Sequence, residues 1–229
     1  MLKRKYKTLL VIALIFNILL IEIISAKNIN LPLLDTVITI DPGHGGRDSG
    51  TIFNNILEKN INLEISKHLE KELISKGAIV YMTRESDIDL SSIYDPKKKR
   101  GDLYRRLMFI RKNNSDMYLS IHINWYKNEN YKGGEVLYNP INPDNKILAS
   151  FIMNEFKDSL GSKRNIKTTD LYMYKNTTVP GVLIECGYLS NYIDRRNLQD
   201  PKYQEQISKT ITAGVIKYLK NKNKVKYIL

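Results

Sequence analysis

The chain has 229 residues, enough for one domain with a full hydrophobic core and a short extra segment. Its net charge of +12 favours anionic partners, and its single cysteine, Cys186, excludes an intramolecular disulfide. No internal repeat or low-complexity tract is present.

The first 26 residues differ in character from the rest. Lys3, Arg4, Lys5 and Lys7 precede a run from Leu9 to Ile21 that is apolar except for Asn17. Ile24-Ser25-Ala26 then ends in a small residue, the shape of a secretory signal peptide. The run is short for a membrane span of roughly 20 residues. The alternatives are a cleaved signal peptide and an uncleaved N-terminal anchor, and either brings this segment to the membrane. Residues 27–36 read as a linker, 37–220 as the main domain and 221–229 as a basic tail. A basic exported domain meets cell-wall polymers or membrane surfaces rather than nucleic acid, and a merely solvated lysine-rich surface gives the same composition.

Strand-like runs alternate with helical ones along the domain. Val37–Ile40 is followed by a helix from about Leu57 to Ser75, with Leu57, Ile61, Ile65, Leu69 and Leu73 on one stripe. Asn54 or Asn55 can cap its start and Gly77 ends it. Ala78–Met82 is the second strand. A helix from about Gly101 to Lys112, the strand Met117–Ile121 and the strand Glu135–Tyr138 come next. A helix from Lys146 to Leu160, the strand Val182–Ile184 and a last helix from Gln204 to Leu219 complete the set. This order predicts an α/β fold: a single-domain, open, mostly parallel sheet with helices on both faces. In such sheets, sites gather beyond the carboxyl ends of the strands.

Three residues with chemistry fall at such ends. His44 lies in Asp41-Pro42-Gly43-His44-Gly45-Gly46, just after the first strand. No Gly-Lys-Ser or Gly-Lys-Thr follows, and Asp48 stands where a dinucleotide fingerprint needs glycine, so the loop is not a phosphate cradle. Gly43, Gly45 and Gly46 instead permit a sharply bent backbone that presents the histidine. His122 ends the third strand and Glu185 the last long one. Two histidines and a carboxylate, with one position left to water, make a catalytic zinc set. For the carboxylate, Glu58 at the start of the first helix competes with Asp41 and Asp48. Spacing alone does not separate a ligand role for Glu58 from a glutamate favoured by the helix dipole, and Asp41 can instead orient a ligand histidine. Glu185 sits in an apolar run, where it is either a base for a metal hydrolase or the partner of Arg84 or Arg106 in a buried ion pair. His68, mid-helix, reads as structural.

These segments resemble the zinc-dependent N-acetylmuramoyl-L-alanine amidases, the bacterial cell-wall amidases, over about Val37 to Leu219. The motif around His44, Glu58 ahead of Asn62-Leu63, Ser120-Ile121-His122-Ile123-Asn124 and Leu183-Ile184-Glu185-Cys186-Gly187-Tyr188-Leu189-Ser190-Asn191 match in order. The resemblance implies one zinc ion on His44, Glu58 and His122, with Glu185 as the catalytic base and peptidoglycan as the substrate. It also implies structural roles for Thr83, Arg84 and Arg106. The compact, exported form is similar to the sporulation and germination subtype, which implies work on spore cortex, in the cell envelope or the spore intermembrane space, and an envelope lipoprotein that aids zinc retention. Ile110-Arg111 and Trp125 depart from the family pattern and are expected to alter the substrate groove or a partner surface. Two other classes compete: a cysteine amidase using Cys186, and a non-catalytic peptidoglycan-binding or spore-envelope scaffold.

Overall fold

The computed structural model describes residues 6–7, 10–18 and 31–226, and Met1–Pro32 and Leu33–Leu229 are separate units. In the first unit, residues 10–18 are helical. Among the described residues no helix is long and apolar enough to cross a membrane. The expected cleavage point after Ala26, the start of the expected linker and residues 227–229 of the tail lie outside the described residues. Leu33, within the expected linker, is fully buried, and its N–H bonds the Lys76 carbonyl.

The second unit is built on one six-stranded sheet. Its strands are β1 (Val37–Pro42), β4 (Ile79–Met82), β5 (Met117–Asn124), β6 (Glu135–Tyr138), β7 (Lys167–Thr168) and β8 (Gly181–Tyr188). The order across the sheet is β4-β1-β5-β8-β6-β7. β4, β1, β5 and β8 run parallel, β6 is antiparallel to β8, and β7 is parallel to β6. A separate two-stranded hairpin, β2 (Ile52–Phe53) and β3 (Ile56–Leu57), precedes the first domain helix.

The helices are α1 (Glu58–Ser75), α2 (Lys98–Lys112), α3 (Pro143–Leu160), α4 (Tyr172–Lys175), α5 (Tyr192–Leu198) and α6 (Pro201–Lys226). The apolar stripes of α1, α3 and α6 pack with β-strand side chains such as Ile38, Ile40, Ile121 and Ile184 into the larger core. A smaller core on the other face joins Leu107 and Ile110 of α2 to Tyr118, Leu183 and, from α4, Met173 and Tyr174. Both faces are thus covered, which explains why the inner strands read as near-continuous apolar runs. Ile110 is fully buried in this second core, and Arg111 bonds the Asn176 carbonyl at 2.5 Å. Neither residue lines the clefts beside His44 and His122; Ile110 belongs to the core and Arg111 to the surface.

Two helices begin earlier than expected for one reason. Pro143 and Pro201 stand at the first helical position, where proline loses no hydrogen bond and its fixed φ suits the helix. Asn142 caps α3, accepting from the Asp144 N–H, and Gly161 ends it at φ 65°. Asn54 and Asn55 do not cap α1. Both have positive φ, 48° and 62°, and form the two-residue turn between β2 and β3. The first N–H groups of α1 instead reach backbone: Glu58 N–H to the Thr51 carbonyl at 3.0 Å and Lys59 N–H to Ser49 at 3.2 Å.

The exit of β1 is held by two buried arginines. Ile38 and Ile40 point into the larger core, so the alternation of the strand turns Asp41 to the other face. There Asp41 accepts from Thr83 and Ser120 hydroxyls, both at 2.7 Å, and from Arg106 at 2.8 Å. Arg106, 1% exposed, also bonds Asp102 and the carbonyls of Pro42 and His44, at 2.8, 2.8 and 2.7 Å. Arg84 bonds the carbonyls of Pro42, Gly43 and Lys59 at 2.8–2.9 Å. Burial alone would raise the Asp41 carboxyl, but the Arg106 charge and the three hydrogen bonds bring it below its ordinary value.

Removing one member of this pair strands a buried charge. Arg106→Ala is expected to lower stability by about 3–5 kcal/mol in chemical denaturation. Arg106→Lys is expected to rescue little, because an ammonium lacks the planar fork that meets several acceptors at once. The lowered carboxyl of Asp41 contributes stability above the ordinary aspartate value of about 3.9, lost as pH falls through its lower folded value. Asp41→Asn should therefore flatten the acid limb of a stability-versus-pH curve; an unchanged limb speaks against the pairing.

Candidate functional site

His44, Glu58 and His122 each place one ligand-type atom within 4.8 Å of the others, a group that can hold a metal ion. They come from three places in the chain: the loop after β1, the first residue of α1 and the end of β5. The rings of His44 and His122 meet edge to face, with centroids 5.0 Å apart.

The loop after β1 is shaped to bring them together. His44 itself has φ 62°, a left-handed conformation that costs a non-glycine residue roughly 1–2 kcal/mol. The arginine bonds to the carbonyls on either side hold it there. Gly43 lacks a positive φ; its role is close approach, since a Cβ there would sit 2.3 Å from Cε1 of His122. Gly50 does both, with φ 64° and a would-be Cβ 2.6 Å from both Glu58 Oε2 and His44 Cδ2.

Glu58 is 3% exposed and thoroughly bound. Its Oε1 lies 3.1 Å from both His44 Nε2 and His122 Nδ1. The same oxygen accepts from Ile123 N–H and Asn62 Nδ2, both at 3.2 Å, while Oε2 accepts from Thr51 N–H at 2.9 Å. Asn62, one turn along α1 and fully buried, also bonds the Gly43 carbonyl at 3.2 Å and so ties helix to loop. Burial would push the Glu58 carboxyl up, but the hydrogen bonds and charges of His122 and His44 hold it far below its ordinary range. Burial would likewise lower His44, and Glu58 and then Asp48 outweigh it and raise it.

The other carboxylates divide differently from expectation. Asp41 touches no histidine, being engaged by Thr83, Ser120 and Arg106. Asp48 is the residue behind His44: its Oδ2 lies 3.0 Å from Nδ1, a close approach without hydrogen-bond alignment. His68 is outside the group.

Glu185 pairs in register with His122 across β5 and β8, and lines the same opening as His44, Glu58 and His122. Its Oε2 is buried without a hydrogen-bond partner. Arg84 and Arg106 bind elsewhere, so the ion-pair alternative for Glu185 is excluded. Burial, then the charges of Glu58 and Glu135, push its carboxyl well above the ordinary range, against a smaller opposing effect of Lys167. Sequence reasoning missed Glu135. It stands opposite Glu185 in β6, 2% exposed, and is bound by Asn124, Tyr188 and Lys167 at 2.8–2.9 Å. The signal was a glutamate inside a short strand, the same kind of misfit that singled out Glu185.

Cys186 is buried, and its thiol is pushed up first by burial and then by the Glu185 charge. Its sulfur approaches only the Ile184 carbonyl, at 3.9 Å. A nucleophile needs the opposite environment.

Two clefts meet at the histidines, both bordered by His44, Asp48, Lys99 and His122. One is walled by Leu103, Leu171, Met173 and Leu183. The other is walled by Gly50, Thr51, Asn124, Trp125 and Glu185. A buried acidic group thus faces a two-histidine, one-carboxylate centre at the junction of an apolar and a polar cleft.

Residues 38–217 match the family model described as N-acetylmuramoyl-L-alanine amidase. The germination-specific N-acetylmuramoyl-L-alanine amidase of Bacillus subtilis (strain 168) is 34% identical over 203 residues, covering 86% of each chain. N-acetylmuramoyl-L-alanine amidase LytC of the same organism is 31% identical, over 84% of this chain and 37% of its own. Among solved structures, the CwlD amidase from Clostridioides difficile in complex with the GerS lipoprotein superposes with a TM-score of 0.77 at 35% identity, over 81% of this chain and 99% of that one. The catalytic domain of CwlV from Bacillus (Paenibacillus) polymyxa var. colistinus gives 0.71 at 28% identity, over 81% and 98%. With a family model spanning residues 38–217 and a relative 34% identical over 86% of each chain, the chain belongs to the N-acetylmuramoyl-L-alanine amidase family.

Proposed function

We propose that this chain hydrolyses the amide joining N-acetylmuramic acid to L-alanine of the peptidoglycan stem peptide, with one zinc ion held by His44, Glu58 and His122. The observation that carries the reading is the convergence of those three side chains beside the unpartnered carboxyl of Glu185. The donor set fits the ion: neighbouring ligand atoms around a tetrahedral zinc with bonds of about 2.0–2.1 Å stand roughly 3.3 Å apart, and Glu58 Oε1 lies 3.1 Å from each histidine nitrogen. Bound zinc supplies Lewis acidity, activating water and polarising the scissile carbonyl.

The chain's own residues do the rest. Glu185 takes the proton of the attacking water and returns it to the leaving amine. Its raised carboxyl suits this exchange, since a base must also act as an acid near neutral pH. Asp48 steadies the His44 ring, and Asn62 with the Thr51 and Ile123 amides fixes Glu58, so the ligands do not reorganise when the substrate arrives. The two clefts flank this point, as a bond with a sugar on one side and a peptide on the other requires.

We further place the enzyme in the spore cortex, exported from the cytoplasm, and activated by an envelope lipoprotein that aids metal retention. The names of the germination-specific relative and of the lipoprotein complex support this assignment. The basic, then apolar, N-terminal run supports export, and sequencing of the mature protein should then begin near Lys27. An intact Met1 in the membrane fraction favours an anchor; protein in the cytosol defeats export.

His44→Ala and His122→Ala are expected to lose zinc and activity together, whereas His68→Ala keeps both. Elemental analysis alongside turnover of purified peptidoglycan checks this, and full activity in metal-free wild type refutes it. The same analysis with and without a co-expressed envelope lipoprotein tests the partner, whose presence should raise occupancy.

Glu185→Gln should retain zinc and lose about 10²- to 10⁴-fold in kcat, the worth of general acid–base catalysis. Because burial makes ionisation of Glu185 oppose folding, the neutral amide should leave stability unchanged or raise it. An unstable variant with ordinary turnover would assign Glu185 to structure alone.

A further inference from the structure

We propose that Trp125 is the platform on which the glycan next to the scissile amide stacks, so that the polar cleft receives the sugar and the apolar cleft the stem peptide. The proposal rests on the amidase reading and adds the direction in which substrate lies across the site.

Trp125 is the only tryptophan in the chain and is 46% exposed. It follows directly on β5, three residues past His122, and walls the cleft that contains Glu185. Neither hydrophobic core includes it. A half-exposed indole beside polar groups offers a flat apolar face, suited to the C–H face of a pyranose ring, while neighbouring hydroxyl and amide groups meet the sugar's polar edge. In this cleft those groups are Thr51 and Asn124. The other cleft presents Leu103, Leu171, Met173 and Leu183, which suit the methyl groups of an alanine-bearing peptide.

The loop that carries Trp125 is held in place before any ligand arrives. The Trp125 N–H bonds Asn124 Oδ1 at 2.8 Å and the Tyr126 N–H bonds Ser190 Oγ at 3.2 Å. Farther on, the Glu129 carbonyl accepts from Asn191 Nδ2 at 2.6 Å. Tyr126 packs on Tyr131 with centroids 4.5 Å apart, and the Arg164 guanidinium lies over Tyr131 at 4.7 Å and Tyr188 at 5.5 Å. Tyr188 in turn donates to Glu135 at 2.8 Å. A loop backbone fixed in advance spends less conformational entropy on binding than a mobile one.

The single tryptophan makes the test direct. Zinc-loaded Glu185→Gln protein, whose turnover is slowed enough to observe binding, is titrated with a soluble N-acetylglucosamine–N-acetylmuramic acid oligomer bearing its stem peptide, and separately with the sugar-free peptide. The oligomer should shift tryptophan emission saturably and the peptide should not. In the otherwise wild-type enzyme, Trp125→Ala should raise KM for the oligomer about tenfold, the scale of one stacking contact, with kcat changed far less. Trp125→Tyr should restore most of the loss. Saturable binding by calorimetry with unmoved emission, or an unmoved KM in Trp125→Ala while wild type still releases free stem peptide, overturns the stacking assignment alone. A zinc-loaded wild type that releases no stem peptide even with the co-expressed lipoprotein overturns the amidase reading, and this proposal with it.

Discussion

The contact between Arg106 and Asp41 is the constraint on which the site depends. Asp41 is the buried penultimate residue of a parallel strand, where an ionised carboxyl is costly unless it is fully engaged. Arg106 meets it, directs Nε to Asp102, and bonds the backbone of the very loop that carries His44. Arg84 does the same from the far side. The two cations convert a glycine-rich loop, which by composition ought to be pliable, into a rigid mount. The left-handed backbone at His44 is the local cost of that mount, offset by bonds to the carbonyls around it.

Glu58 reaches the site by a different route. The β2–β3 hairpin turns the chain so that the first turn of α1 points at the end of β5, and backbone carbonyls of Ser49 and Thr51 take the place of a capping side chain. The glutamate is then free of capping duty and available to both histidines. A side chain that sequence alone leaves divided between helix dipole and ligand has, in the fold, one carboxylate oxygen beside both histidines and the other on the Thr51 amide.

The main elements were legible in the sequence because each long segment has one clear period. The alternation from Val37 and the stripe from Ile61 to Leu73 leave little choice, and the resulting strand–helix order implies the parallel sheet. The missed elements, β2, β3, β7, α4 and α5, are too short to have a period at all. Asn54 and Asn55 misled because asparagine serves both helix caps and tight turns, and only positive φ distinguishes them. His44, Glu58, His122 and Glu185 were named from strand ends and from family motifs. The supports behind them were not, since Asp48, Asn62 and Glu135 act through distances that no spacing encodes. The orienting role offered for Asp41 is not met, because the strand's alternation turns its carboxyl to Thr83, Ser120 and Arg106, while Asp48 lies beside His44.

The order of chain in the sheet has a consequence for how the protein comes into being. β1, β5 and β8 are neighbours in space, but the residues they bring to the centre, His44, His122 and Glu185, are far apart in the chain. Pairing parallel strands across such separations is slow, because the loop between them must be ordered before contacts reward it. The cation site therefore comes into existence only when the sheet is nearly finished. A zinc finger folds around its ion; this scaffold has its own core on each face and does not need an ion to organise it. Filling of the His44, Glu58 and His122 group by an ion would then be a step separate from folding.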